Sequence, residues 1–307
     1  MLRVTRCAGV PRLRSRSRGW SRLAICYWLV VAALMFGLLV IWFACGYRGA
    51  HLQAADFAYP ASANPDVACP GGRGEVADHR RRQTAAGIRF QVTTPANYRP
   101  EFPHPLLVVW APAGVNEALA ERFTGLTGPA TRQGFVVAHV RSVPLGERAL
   151  RALAEVPVAI LQDWCIDPAR IAYTGHSDGG TLSMALAVLT DLDLRPAVIA
   201  PSAAGMQAAD LETFPCPAPL PVMVMHNLGD GHFPDYGVGA ADWWAACNGC
   251  GSARVTSGEH PGCESYTGCR ADTLLCRAAG NHAHWPGFEH RLPLFLERTL
   301  AAPSPPG

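Results

Sequence analysis

The 307-residue chain has little charge, and its main body has no excess of positive charge. The formal net charge is only +2, and seven arginines (Arg3, Arg6, Arg12, Arg14, Arg16, Arg18 and Arg22) precede residue 23. The rest of the chain is therefore mildly acidic. This excludes nucleic acid as the partner of the main domain, because such binding needs a basic surface on the folded part. Charge of either sign is missing altogether from Leu23 to Tyr47. At about 1.5 Å per residue, an uncharged stretch of that length covers a bilayer. It is longer than the ~7–15-residue apolar region of a cleaved secretory signal, and it ends in aromatic residues rather than a small-x-small site. Trp42-Phe43-Ala44 before Cys45 is likewise a poor match to a lipoprotein cleavage site. No internal repeat is present.

These absences predict an order along the chain. Residues 1–22 form a basic cytoplasmic segment, since arginines on one flank hold that flank inside. Residues 23–47 form a single-pass signal anchor that partners the membrane, and 48–85 a linker rich in Ala, Pro, Gly and Arg. Residues 86–302 form the main domain, exported to the periplasm or the extracellular side.

Cysteine usage agrees with export. Beyond the N-terminal region lie Cys69, Cys165, Cys216, Cys247, Cys250, Cys263, Cys269 and Cys276. An even number in an exported domain predicts disulfides, and eight allow 105 pairings that sequence alone does not resolve. A zinc site on Cys247/Cys250 is the rival reading. It is the weaker one, because Cys263/Cys269 lacks the matching spacing. No metal is expected.

From Gly87 onward the pattern alternates strand with helix. Ile88–Thr93 alternates like an edge strand. Leu106–Trp110, Phe135–Val140, Arg170–Thr174, Ala197–Ala200, Pro221–His226 and Thr273–Cys276 are short apolar runs of the kind buried on both faces of a parallel sheet. Helical patterns fill Glu117–Arg132 (interrupted by glycines), Leu150–Cys165, Asp178–Leu189 and Leu292–Leu300. Such alternation gives an α/β fold, with a mostly parallel central sheet and helices on both faces. Ligands bind such sheets at the carboxyl ends of the strands.

The residues just after those strands carry the chemistry. After Arg170–Thr174 comes Gly175-His176-Ser177-Asp178-Gly179, a G-x-S-x-G between strand and helix. In that setting a strained turn pushes the serine hydroxyl into the cleft, and the next N–H, on Asp178, points at a developing oxyanion. The arrangement is the nucleophile elbow of the α/β-hydrolase fold, whose acid and histidine come later in that order. Asp230 succeeds the PVMVMH strand in the acid's place, with Asp235 as the alternative. His282 and His284 both come after Thr273–Cys276, and either suits the general base. His139, His176, His226 and His232 read as structural or surface residues. The loop Ala111-Pro112-Ala113-Gly114 supplies the second oxyanion donor. Proline has no N–H, so the donor is Ala113.

With these residues in place, the chain resembles the poly(3-hydroxybutyrate) depolymerase family of esterases, which is similar to feruloyl and acetylxylan esterases. The matches are Gln133–Ala138, the approach Ile166-Asp167-Pro168 through Ser177, Asp230 with Pro234, Trp244 with Asn248-Gly249-Cys250, and Trp285-Pro286-Gly287. They span roughly residues 87–300. Two positions depart from the family: Ala111-Pro112 stands where His-Gly is common, and Ala283 stands where the histidine is common. The resemblance implies a serine esterase acting on small or oligomeric esters, without metal or organic cofactor. Two other readings fit the motifs. A peptidase of the same fold would be separated by a peptide-substrate screen, and a catalytically silent anchored binding protein by its failure to react with a fluorophosphonate. Trp110, Trp164 and Trp285 are candidates to line an aryl-binding cleft.

Overall fold

A computed structural model describes residues 27–31, 33–35, 67, 69–189, 191–192 and 194–301. The chain divides into two units, residues 1–52 and 53–307. In the first, the described residues between Tyr27 and Met35 are helical. Among the described residues no helix is long and apolar enough to cross a membrane. The expected basic segment 1–22 and most of the expected anchor 23–47 lie outside the described residues.

The second unit is built on ten strands: β1 Arg80–Gln83, β2 Arg89–Thr93, β3 His104–Trp110, β4 Val136–Val140, β5 Ile166–His176, β6 Val198–Ser202, β7 Val222–Asn227, β8 Arg254–Thr256, β9 Cys263–Tyr266 and β10 Thr273–Ala278. They form one sheet in the order β1-β2-β4-β3-β5-β6-β7-β10-β9-β8. The six central strands, β4 to β10 in that order, run parallel. The two strands at each end are antiparallel additions. Every residue of β3, β4, β6 and β7 is buried, as continuous apolar runs require when both faces are covered.

The helices are α1 Glu117–Thr124, α2 Thr127–Arg132, α3 Glu147–Asp163, α4 Asp178–Val188, α5 Ala208–Leu211, α6 Tyr236–Cys247 and α7 Leu292–Ala301. Alternate strand residues divide between two cores. Leu106, Val108 and Trp110 pack with Leu153, Val156 and Ile160 of α3, with α4, and with Trp244 of α6. Leu107 and Val109 pack with Ala130 of α2 and with Leu292, Phe295 and Leu296 of α7. Helices therefore cover both faces. On α3 the buried residues Leu153, Val156, Pro157 and Ile160 recur at the spacing of one helical stripe. By contrast α4 is buried on nearly every side, which places it in the heart of the domain.

The helical pattern over Glu117–Arg132 is interrupted at a glycine as expected: Gly125 takes the left-handed conformation (φ 63°) and closes α1, and α2 follows. Two expectations need correction. The strand near Ile88–Thr93 is not the edge, since β1 pairs outside it. The linker expected over 48–85 therefore ends earlier. Cys69 is bonded to Cys165, Arg73 donates to the carbonyl of Leu161 (2.7 Å), and Trp164 Nε1 donates to the carbonyl of Glu75 (3.1 Å). The sequence RRRQ of β1 is mostly exposed, so it has no apolar alternation by which to be recognised.

The eight cysteines of this unit form four disulfides: Cys69–Cys165, Cys216–Cys247, Cys250–Cys269 and Cys263–Cys276. Cys247 and Cys250 have different partners, so the CxxC spacing neither binds zinc nor forms a redox pair.

Candidate active site

The turn between β5 and α4 has no room for side chains beside its serine. A Cβ on Gly179 would lie 2.0 Å from the carbonyl oxygen of Trp110, and one on Gly175 2.5 Å from the same atom. With glycine at both positions, β5 and α4 close tightly over the end of β3. Ser177 between them is held at φ 56°, ψ −118°, a conformation that costs an ordinary residue about 1–3 kcal/mol. Its N–H donates to the carbonyl of Ser202 at the end of β6 (2.9 Å).

Two loops bring partners to that hydroxyl. Nε2 of His282, in the loop after β10, lies 2.9 Å from Ser177 Oγ. Nδ1 of the same ring lies 2.8 Å from Oδ2 of Asp230, in the loop after β7. The carboxylate can only accept, so Nδ1 carries the hydrogen and Nε2 is left to accept from the serine. Asp230 is buried, and its other oxygen accepts from the N–H groups of His232 (2.9 Å) and Phe233 (3.0 Å). Burial pushes the Asp230 carboxyl pKa up, but hydrogen bonds from His282, Phe233 and His232 outweigh it and hold the group below the usual carboxylate range. The acid is therefore ionised wherever the protein is folded at ordinary pH.

The other candidates lie elsewhere. His284 is exposed and bonds Oδ1 of Asn281 through Nδ1 (2.8 Å). Asp235 begins α6 in the left-handed conformation, where its carbonyl accepts from Val238 and Gly239. Trp110 and Trp164 are core residues.

Two residues that sequence reasoning set aside or missed hold the histidine loop. His176 is buried; its Nε2 lies 2.7 Å from the carbonyl of His282 and its Nδ1 3.0 Å from Ser202 Oγ. A carbonyl only accepts, so Nε2 bears the hydrogen and Ser202 donates to Nδ1. Burial pushes His176 down to about 4, keeping it neutral. Asn227, buried at the end of β7, donates through Nδ2 to the carbonyls of Asn281 (2.9 Å) and His284 (2.7 Å). Three carbonyls of the loop carrying His282 are thus held by side chains from strand ends. A polar residue closing an apolar strand was the available signal for Asn227. For His176 it was its position inside the pentapeptide, immediately before the serine.

Opposite the serine, Pro112 to Val115 make a turn closed by the Val115 N–H to the Pro112 carbonyl (3.1 Å). The N–H groups of Ala113 in this turn and of Asp178 at the start of α4 donate to no other backbone carbonyl among the described residues. Asp178 also sits where the α4 dipole is positive. Pro112, Ala113, Val115, Leu119, Arg122, Phe123, His176, Ser177, His282 and Ala283 line a cleft of about 570 Å³. A second hollow of about 480 Å³ adjoins it, bordered by Arg122, Phe123, Ala283, His284, Trp285 and Glu289. Of the three candidate tryptophans, only Trp285 thus reaches the neighbourhood of the cleft. No described cluster of His, Cys, Asp or Glu could hold a metal ion.

A serine on a strand-to-helix elbow, with histidine and aspartate on later loops at the carboxyl ends of a mostly parallel sheet, defines the α/β-hydrolase fold. Solved structures agree. An S-formylglutathione hydrolase from Staphylococcus aureus superposes with TM-score 0.51 at 13% identity, covering 74% of this chain and 98% of its own. One from Agrobacterium tumefaciens gives 0.52 at 14%, covering 72% and 94%. Acetyl xylan esterase from Aspergillus awamori gives 0.52 at 10%, covering 74% and 99%. No protein-family model matches the sequence, and no curated protein does.

Proposed function

We propose that this chain is a serine hydrolase of carboxylic esters acting through an acyl-enzyme on Ser177. The observation that carries the reading is the unbroken relay from Ser177 Oγ through His282 to Asp230, at 2.9 and 2.8 Å. Ser177 Oγ attacks the ester carbonyl carbon while its proton passes to His282 Nε2. Asp230 fixes the ring's tautomer and stabilises the imidazolium. The Ala113 and Asp178 N–H groups receive the oxyanion. As the tetrahedral adduct collapses, the bond to the alcohol oxygen breaks and His282 gives that oxygen its proton. Water, deprotonated by His282, then attacks the acyl carbon and releases the acid, and Ser177 regains its proton.

The fold shared with proteins named as S-formylglutathione hydrolase and acetyl xylan esterase supports an ester-type substrate. The resemblance to poly(3-hydroxybutyrate) depolymerases is the finer form of the same proposal. The open, mostly apolar cleft favours small or oligomeric esters. Nitrophenyl butyrate hydrolysis by the purified domain, lost in Ser177→Ala with the circular-dichroism spectrum kept, is the expected result. Survival of that activity, or failure of a fluorophosphonate to label Ser177, would falsify the assignment.

We also propose that residues 23–47 anchor the enzyme to a membrane with the hydrolase domain exported; the uncharged run behind seven arginines supports this. Carbonate extraction should leave the full chain in the pellet, and protease added to intact cells or spheroplasts should reach the domain. Release into the wash would overturn the anchor.

A further inference from the structure

Helix α1 turns three residues toward the cleft. Leu119, Arg122 and Phe123 all line it, and their i, i+3, i+4 spacing puts them on one face. Ala120 and Thr124 are buried instead. Around Ser177 the remaining walls are Pro112, Ala113, Val115 and Ala283, with the neutral His176 and the base itself. Arg122 is therefore the one permanent charge among the residues lining this cleft.

Among the described residues no carboxylate forms an ion pair with it. The positions three or four residues away along the chain are Ala118, Leu119, Gly125 and Leu126, none of which carries a counter-ion. The adjacent Glu121 is engaged elsewhere, accepting from Gln91 (2.6 Å) and Thr127 (2.6 Å) and pairing with His79 (2.9 Å). Asp230 is spoken for by His282 and two backbone N–H groups. Glu289 is absent from the cleft around Ser177; it shares the wall of the second hollow with Arg122 but forms no ion pair with it. An arginine in the last turn of α1 also favours the helix dipole, but that role does not depend on what occupies the cleft.

We propose that Arg122 is a specificity-determining residue that selects esters bearing a carboxylate, such as half-esters of dicarboxylic acids or oligomeric esters with a free acid end. The inference rests on the esterase reading and names its substrate class. An apolar chain would lie along Leu119, Phe123 and Val115, with its carboxylate on the guanidinium. A guanidinium suits this because its planar fork matches a carboxylate with two parallel hydrogen bonds. Arg122 borders the second hollow as well, but there Glu289 shares the wall and offsets its charge, so the carboxylate is directed to the lobe beside Ser177.

The test compares kcat/KM for nitrophenyl half-esters of succinate, glutarate and adipate with kcat/KM for neutral nitrophenyl esters of equal chain length. The readout is the ratio of anionic to neutral ester within each variant, which cancels differences in the fraction of folded enzyme. The wild-type ratio should fall about tenfold in Arg122→Gln, the range expected for losing one hydrogen-bonded charge. It should fall further in Arg122→Glu, and the wild-type ratio should decline as potassium chloride is raised. Ratios that are the same in all three proteins at every chain length overturn the proposal. Neutral-ester turnover abolished by Ser177→Ala reports on the esterase reading separately, so the two can fail independently.

Discussion

The imidazole of His176 donates a 2.7 Å hydrogen bond to the main-chain carbonyl of His282, tying the residue before the serine to the residue that faces it. Replacing His176 with Phe should leave KM within about twofold and lower kcat roughly 10- to 100-fold, the scale on which small misplacements of catalytic groups act. His176→Gln, whose amide can donate from nearly the same place, should recover much of the loss. Steady-state kinetics with fluorophosphonate labelling rates would check both. Equal rates in the Phe variant and wild type would show that the bond positions nothing.

Buried histidines set the response to acid. Burial pushes His139 down to about 3, with the charge of His79 adding to it, and its Nε2 has no hydrogen-bond partner among the described residues. His104 and His176 are likewise pushed down to about 4 by burial. A depressed histidine binds its proton more weakly folded than unfolded. Its contribution is therefore complete above about pH 6.5 and is lost as pH falls toward the folded value. For His139 alone the loss at pH 4 is about 3 kcal/mol. Urea unfolding of His139→Leu should show a visibly shallower decline between pH 7 and 4.5 than wild type, and parallel declines would refute this.

The Cys69–Cys165 bond joins chain segments 96 residues apart, staples the stretch before β1 to the start of β5, and closes the longest of the four loops. Replacing both cysteines with alanine should cost about 2–5 kcal/mol, roughly 10 °C in Tm for a domain of this size. Opening Cys250–Cys269, a loop of 19 residues, should cost less on the chain-entropy account. Calorimetry of the two variants would order them, and the reverse order would contradict that account.

Gly179→Ala should fail to yield soluble domain or be destabilised by more than about 4 kcal/mol, because the added carbon would meet the Trp110 carbonyl at 2.0 Å with backbone on both sides. Gly231→Ala, in the Asp230 loop with nothing within 4 Å of a Cβ among the described residues, serves as control and should change Tm by a degree or two. A soluble Gly179→Ala with wild-type Tm would mean that the elbow is looser than drawn.

The parallel core was legible because strands such as Leu106–Trp110 and Pro221–His226 are buried on both faces and read as unbroken apolar runs. The elbow was legible because its glycines are forced by backbone approaching backbone. β1, β8 and β9 were not: β1 and β8 are mostly exposed, and β9 buries only the two ends of its four residues, so none carries a readable periodicity. The choice between His282 and His284 was open because two histidines two residues apart in one loop point differently only once Asn227 has fixed the carbonyls around them. His176 was assigned a structural place without the bond it makes, since that bond spans 106 residues of sequence. Trp110, the last residue of β3, and Trp164, which caps α3, show the converse: an aromatic at the end of an element is more often core than cleft.

Half of the surface of Leu119 is open to solvent, and with Arg122 and Phe123 it belongs to a short helix whose hold on the fold lies on its other side. Substitutions there can reshape what the serine meets without disturbing the crowded turn beneath it. Divergence among enzymes of this design would then accumulate on α1 while the elbow stands still, and a mutational library aimed at new substrates is best begun on that helix.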